Sequence, residues 1–99
     1  MTAETPEDAQ ASEAQRFLTL VAAAQEGDPA LSPIQAAIMV AADLRIARDS
    51  RTFARVLGIE HALAIRELNA LDERAGVIEI VKTDPRTLRT FYKPHGADD

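Results

Sequence analysis

The feature that most constrains the fold of this 99-residue chain is a glycine at which two helical patterns meet. Upstream, Asp49 and Ser50 are both suited to accept the free backbone amides of a first helical turn. Phe53, Ala54 and Leu57 follow at the spacing of one buried helix face. Gly58 stops that pattern, because a residue without Cβ enters the left-handed conformation at little cost. A second pattern runs from about Glu60 to Arg74, with Ala64, Ile65, Leu68 and Leu71 on its inner side. Two helices joined by so tight a turn make a helix-turn-helix.

The segments before it supply the rest of a helical core. Leu31, Ser32, Pro33 and Gln35 spell a helix start: an N-cap hydroxyl, a proline in the first turn where no amide is needed, and a glutamine closing the capping box. This helix is expected to run to about Ala47. Ile34, Ile38, Met39, Val40, Leu44 and Ile46 fall on several of its sides, the pattern of a helix surrounded by protein. An earlier helix is expected to start at Ser12, with Gln15 completing its box, and to end at Gly27. Ala14, Phe17, Leu18, Val21 and Ala24 line one face of it and Leu20 broadens that face, enough to pack on the core and on a second subunit. Residues 1–11 are rich in Ala, Glu, Thr and Pro without apolar periodicity and read as a disordered acidic tail.

After Gly76 the character changes. Val77, Ile78, Ile80 and Val81 suit one strand, and Leu88, Thr90, Phe91 and Tyr92 another. Between them Thr83-Asp84-Pro85-Arg86-Thr87 combines a turn-opening aspartate with a proline that presets the next dihedral. The expectation is a β-hairpin with Lys82, Arg86 and Arg89 at or near its tip, then a loose tail from Pro94 to Asp99. The fold class is therefore mainly α with a small hairpin, in one domain over residues 12–93.

Composition narrows the function. The chain has no cysteine, so neither disulfides nor a thiolate metal site supplements its core, and a reducing cytoplasm is the expected setting. No apolar run approaches membrane-spanning length, and residues 1–13 have neither the basic start nor the apolar run of a signal peptide. Net charge is -5, which on its face disfavours a polyanionic partner, but the charge is segregated. Residues 1–43 carry -6 and residues 44–97 carry +3, with Asp98 and Asp99 supplying the remaining -2.

The order helix, helix, short helix, glycine turn, helix, hairpin resembles the winged helix-turn-helix superfamily, especially bacterial transcriptional regulators of the MarR and ArsR types. Phe53-Ala54-Arg55-Val56-Leu57-Gly58-Ile59 looks like the family's Leu-Ala-x-x-Leu-Gly-Val turn, and Leu68 to Leu71 followed by Arg74-Ala75-Gly76-Val77-Ile78 looks like its exit into the wing. The resemblance covers roughly residues 31–93. It implies a three- to four-helix core with a two-stranded wing, double-stranded DNA as partner, a helix from about residue 60 to 74 in the major groove and a wing, 77–93, on the backbone. Carried over by position, His61, Ala62, Ile65, Arg66 and Asn69 sit at or near the groove. A homodimer is expected as well, since two-fold operators suit two-fold proteins.

The residue types fit that role in part. Arg66 and Asn69 lie three apart on one helix face and suit guanine and adenine edges respectively. Arg45, Arg48, Arg51 and Arg55 near the short helix, with Lys82, Arg86, Arg89 and Lys93 in the hairpin, suit phosphates. The expected DNA-binding set is Arg51, Arg55, His61, Arg66, Asn69, Lys82, Arg86 and Arg89. Against it stand Glu60 and Glu67 on the same helix, and an apolar Leu63 where exposure is expected. These favour the alternative, a winged-helix protein-interaction module that binds no DNA. Catalysis has little to draw on. Only His61 and His95 are histidines, adjacent Asp72 and Glu73 point apart, and no glycine-rich phosphate loop or metal-ligand spacing occurs. No enzyme, cofactor, metal or small-molecule ligand is expected, so short a chain leaving scant room for a ligand pocket.

Overall fold

A computed structural model describes residues 6–97 except Ala75, with side chains placed from Ser12 onward. Among the described residues four helices precede a two-stranded antiparallel sheet: α1 over Pro6–Gly27, α2 over Pro33–Asp43, α3 over Ser50–Leu57, α4 over His61–Asp72, β1 over Ile78–Thr83 and β2 over Thr90–Pro94. The mainly α chain with a hairpin is what the sequence led us to expect. Of the expected tail, residues 1–5 lie outside the described residues, whereas 6–11 extend α1 beyond the expected start at Ser12. At the other end, Pro94 closes β2 and His95–Ala97 form a turn, while 98–99 lie outside the described residues.

α2 starts as its capping box dictates. Ser32 Oγ accepts from the Gln35 amide at 3.1 Å, and the Ser32 amide donates to Gln35 Oε1 at 3.1 Å. Its end differs from the expected Ala47. The helix stops at Asp43, Arg45 turns left-handed at φ 59°, and the Ile46 amide reaches back to Ala41 O at 2.8 Å. This is the Schellman pattern, with arginine at the position glycine usually fills. The consequence is that Leu44 and Ile46, expected in a central helix, are each 42% exposed. Within α2 proper the central role holds: Ala36, Ala37, Ile38, Ala41 and Ala42 are buried, and the small side chains let α1, α4 and β2 pack closely around it.

α1 lies on α2 through Phe17, Leu20, Val21 and Ala24, a stripe at i, i+3, i+4, i+7. Leu18 and Ala14, assigned to the same face, point outward instead. Phe53 of α3, Leu68 and Leu71 of α4, and Ile78 and Tyr92 of the hairpin complete the core. α3 and α4 meet at Gly58, at φ 69°, with the Ile59 amide bonded to Ala54 O at 3.0 Å. The hairpin pairs Ile78 with Pro94 through Thr83 with Thr90, and a bulge between Ile80 and Lys82 leaves Val81 unpaired and exposed.

Candidate functional site

The spacing of buried residues fixes which face α4 offers to solvent. Ala64, Leu68 and Leu71 are buried, and Ala62, Arg66 and Asn69, at i, i+4 and i+7, are exposed opposite them. Arg66 and Asn69 therefore stand side by side on one outward stripe, as their spacing led us to expect. Ile65 and Leu63 flank the stripe half-buried, so Leu63 is less exposed than expected.

Glu67 does not face that stripe. Its carboxylate accepts Ser32 Oγ at 3.0 Å and Gln35 Nε2 at 3.2 Å, which ties α4 to the first turn of α2. The carboxylate also sits where the positive end of the α2 dipole welcomes it. Glu60, by contrast, is exposed at the N-cap of α4 and makes no side-chain cap bond.

The start of α3 carries the densest polar network among the described residues. Asp49 caps the helix, accepting the Thr52 amide at 2.9 Å, and forms a two-point ion pair with Arg89, whose Nε lies 2.8 Å and Nη2 3.2 Å from its oxygens. Burial opposes ionisation of this carboxyl, but the Arg89 and Thr52 hydrogen bonds outweigh it and hold its pKa down to about 2. The Asp49 hydrogen bond in turn raises the pKa of Arg89. Next along the chain, Ser50 Oγ accepts the Thr90 amide at 2.9 Å and lies 2.7 Å from His61 Nε2. Thus three elements, the starts of α3 and α4 and the start of β2, are pinned at one point, and the hairpin is latched to the helix pair.

That latch claims two residues expected to reach DNA. Arg89 is held by Asp49 and lies with its guanidinium carbon 4.9 Å from the Phe91 ring centroid. His61 is turned toward Ser50. Burial lowers its pKa, Arg51 and then Arg89 lower it further, and Asp49 pulls it back up. Ser50 and His61 have the separation of a nucleophile and its base, yet Ser50 is 1% exposed and its oxygen already accepts a backbone amide, so the pair serves structure.

The other candidates remain open. Arg51 and Arg55 are exposed on α3, four apart and on one face. Arg86 is exposed in the hairpin turn, where its amide donates to Asp84 Oδ1 at 2.8 Å and leaves the guanidinium free of any ion pair among the described residues. Lys82 is exposed on β1, its ammonium 4.9 Å from the Phe91 centroid. Arg48 and Lys93 are partly engaged, by Ala42 O and by Glu79 respectively. Among the described residues no cluster of His, Cys, Asp or Glu is built to hold a metal, and no helix is long and apolar enough to cross a membrane. No family model, curated protein or solved structure matches the chain.

Proposed function

We propose that this chain is a winged helix-turn-helix protein that binds double-stranded DNA as a cytoplasmic transcriptional regulator. The observation that carries the reading is the outward stripe of α4. It presents Ala62, Arg66 and Asn69, a small residue followed by two side chains whose donors match base edges in the major groove. Arg51 and Arg55 on α3 and Lys82 and Arg86 on the hairpin are the phosphate contacts in this reading, and they position the helix without reading sequence. His61 and Arg89 act one step back, holding the hairpin in place.

Glu67 is bonded to the start of α2, and Leu63 is half-buried, so neither faces a groove as an isolated acid or an open apolar residue. The protein-interaction alternative drew on Leu63 together with Ala62 and the acidic charge of α4, and of these Leu63 is half-buried and Glu67 is tied to α2. Glu60 is the acidic group that remains near the stripe, and a glutamate there can accept from a cytosine amine.

The test compares two variants on duplexes selected from a random pool. Arg66→Ala is expected to relax preference at one base position at a cost of about 1–3 kcal/mol there. Arg86→Ala is expected to weaken binding to every duplex alike and to lower the salt slope by about one. Selection of no duplex, or unchanged binding by both variants, overturns the reading.

A further inference from the structure

Near the end of the hairpin turn, Leu88 is anomalous in both its backbone and its side chain. Its φ is 64°, in the left-handed region, where a Cβ crowds the following carbonyl and glycine or asparagine is the usual occupant. The side chain gives nothing back to folding, since Leu88 is 54% exposed and lies outside the hydrophobic core. A strained bulky residue that packs on nothing in its own domain points to a contact outside it.

The strain is held in place by the rest of the turn. The Leu88 amide donates to Asp84 O at 2.8 Å, the Asp84 amide to Arg89 O at 2.9 Å, and Thr90 Oγ1 to Leu88 O at 2.9 Å. Thr90 is in turn bonded through its amide to Ser50 Oγ, which lies against His61, the first residue of α4. Leu88 stands two residues before Thr90, at most about 7 Å along the chain from that latch. The leucine is therefore fixed close to the N-terminal end of α4, the end from which a recognition helix reaches base edges.

Charge beside it narrows the occupant. Arg86, two residues earlier, is exposed and free of any ion pair among the described residues, and Lys82 is exposed on the adjoining strand. Asp84, the acid of the turn, has Oδ1 occupied by the Arg86 amide. An apolar side chain set among free cations matches a surface that is anionic outside and apolar within, as stacked bases are behind their phosphates.

We infer that Leu88 is an apolar wedge for duplex DNA. With α4 in the major groove, Leu88 enters the neighbouring minor groove, presses into one base step and bends the duplex, while Arg86 and Lys82 hold the phosphates beside it. The inference rests on the DNA-binding reading and adds to it a bend and a second source of specificity. Steps that unstack easily, TA and CA, are favoured at that place without any hydrogen bond to a base.

The test selects duplexes from a random pool with the wild-type chain and with Leu88→Gly, and reads the bend by energy transfer between dyes at the duplex ends. The wild-type chain is expected to bend its duplex by at least about 20° and to select a flexible step beside the position read by Arg66. Leu88→Gly, relieved of the left-handed strain, should melt no lower than wild type. It should nevertheless leave the duplex straight, lose the flanking step preference, keep the preference set by Arg66, and bind about tenfold more weakly. Leu88→Asn, which also accepts left-handed backbone, should behave as the glycine variant, and Leu88→Met should keep the bend. A duplex left straight by the wild-type chain, or bent equally by Leu88→Gly and Leu88→Asn, overturns the wedge and leaves DNA binding standing. Selection of no duplex by the wild-type chain overturns both.

Discussion

Asp49 accepts three side-chain hydrogen bonds, one from the Thr52 amide and two from Arg89, and its replacement has a magnitude that follows from them. Asp49→Asn keeps an oxygen to cap α3 through the Thr52 amide and removes the charge that pairs with Arg89. A carboxyl held at about 2 instead of 3.8 corresponds to roughly 2.5 kcal/mol if converted in full. Arg89 is 39% exposed and shares its field with water, so about 1–2 kcal/mol is the expected loss. Asp49→Ala loses the cap as well, worth about 1 kcal/mol more. For a domain of this size each kcal/mol shifts Tm by roughly 4–8 °C, so the Asn variant should melt roughly 5–15 °C lower. The pH dependence has a fixed sign. The folded pKa lies below the unfolded one, so the stabilisation is present above about pH 4 and is lost as pH falls towards 2. Urea denaturation followed by circular dichroism, from neutral pH down to the acid limit, gives both numbers. An Asn variant as stable as wild type at neutral pH, or a deficit undiminished by acid, refutes the account of the latch.

Other consequences are as direct. Ser50→Ala leaves the Thr90 amide without its buried acceptor and should cost about 1–3 kcal/mol, with faster hydrogen exchange at Thr90 as the local readout. His61 titrates below its usual 6.5, so its neutral form adds stability above that value that is lost as pH falls through the folded pKa; the depression, read by NMR titration, should diminish in Arg51→Ala, which removes a nearby positive charge. Arg89→Ala should lower the urea midpoint because it leaves Asp49 without its ion-pair partner, whereas Arg86→Ala, at an exposed turn, should leave the midpoint close to that of wild type. Gly58→Ala should cost about 1–2 kcal/mol, since φ 69° is left-handed there.

What the sequence revealed was local, and what it hid was long-range. The Ser32 capping box, the Asp49 cap and the Gly58 stop each lie within a few residues of their partners, and each forms as its residue types require. The α2 end was misplaced because Leu44 and Ile46 prolong an apolar pattern and the Schellman turn falls on Arg45 instead of a glycine. The start of α1 was misplaced because 6–11 is polar and Ala-rich, with helix propensity but no apolar face to betray it. Within the candidate site, the outward pairing of Arg66 and Asn69 follows from helical spacing alone. The fates of Arg89 and Glu67 do not, since their partners lie 40 and 35 residues away in the chain. A charge on a hairpin reads as a phosphate ligand until the fold supplies its aspartate.

DNA binding itself is read by fluorescence anisotropy of the wild-type chain on a pool of random duplex DNA, at low and at moderate salt. A DNA-binding chain binds at low salt and loses affinity steeply as salt rises, with a slope reflecting the few phosphates reached by Arg51, Arg55, Lys82 and Arg86. No binding at low salt, or binding indifferent to salt, contradicts the proposed function.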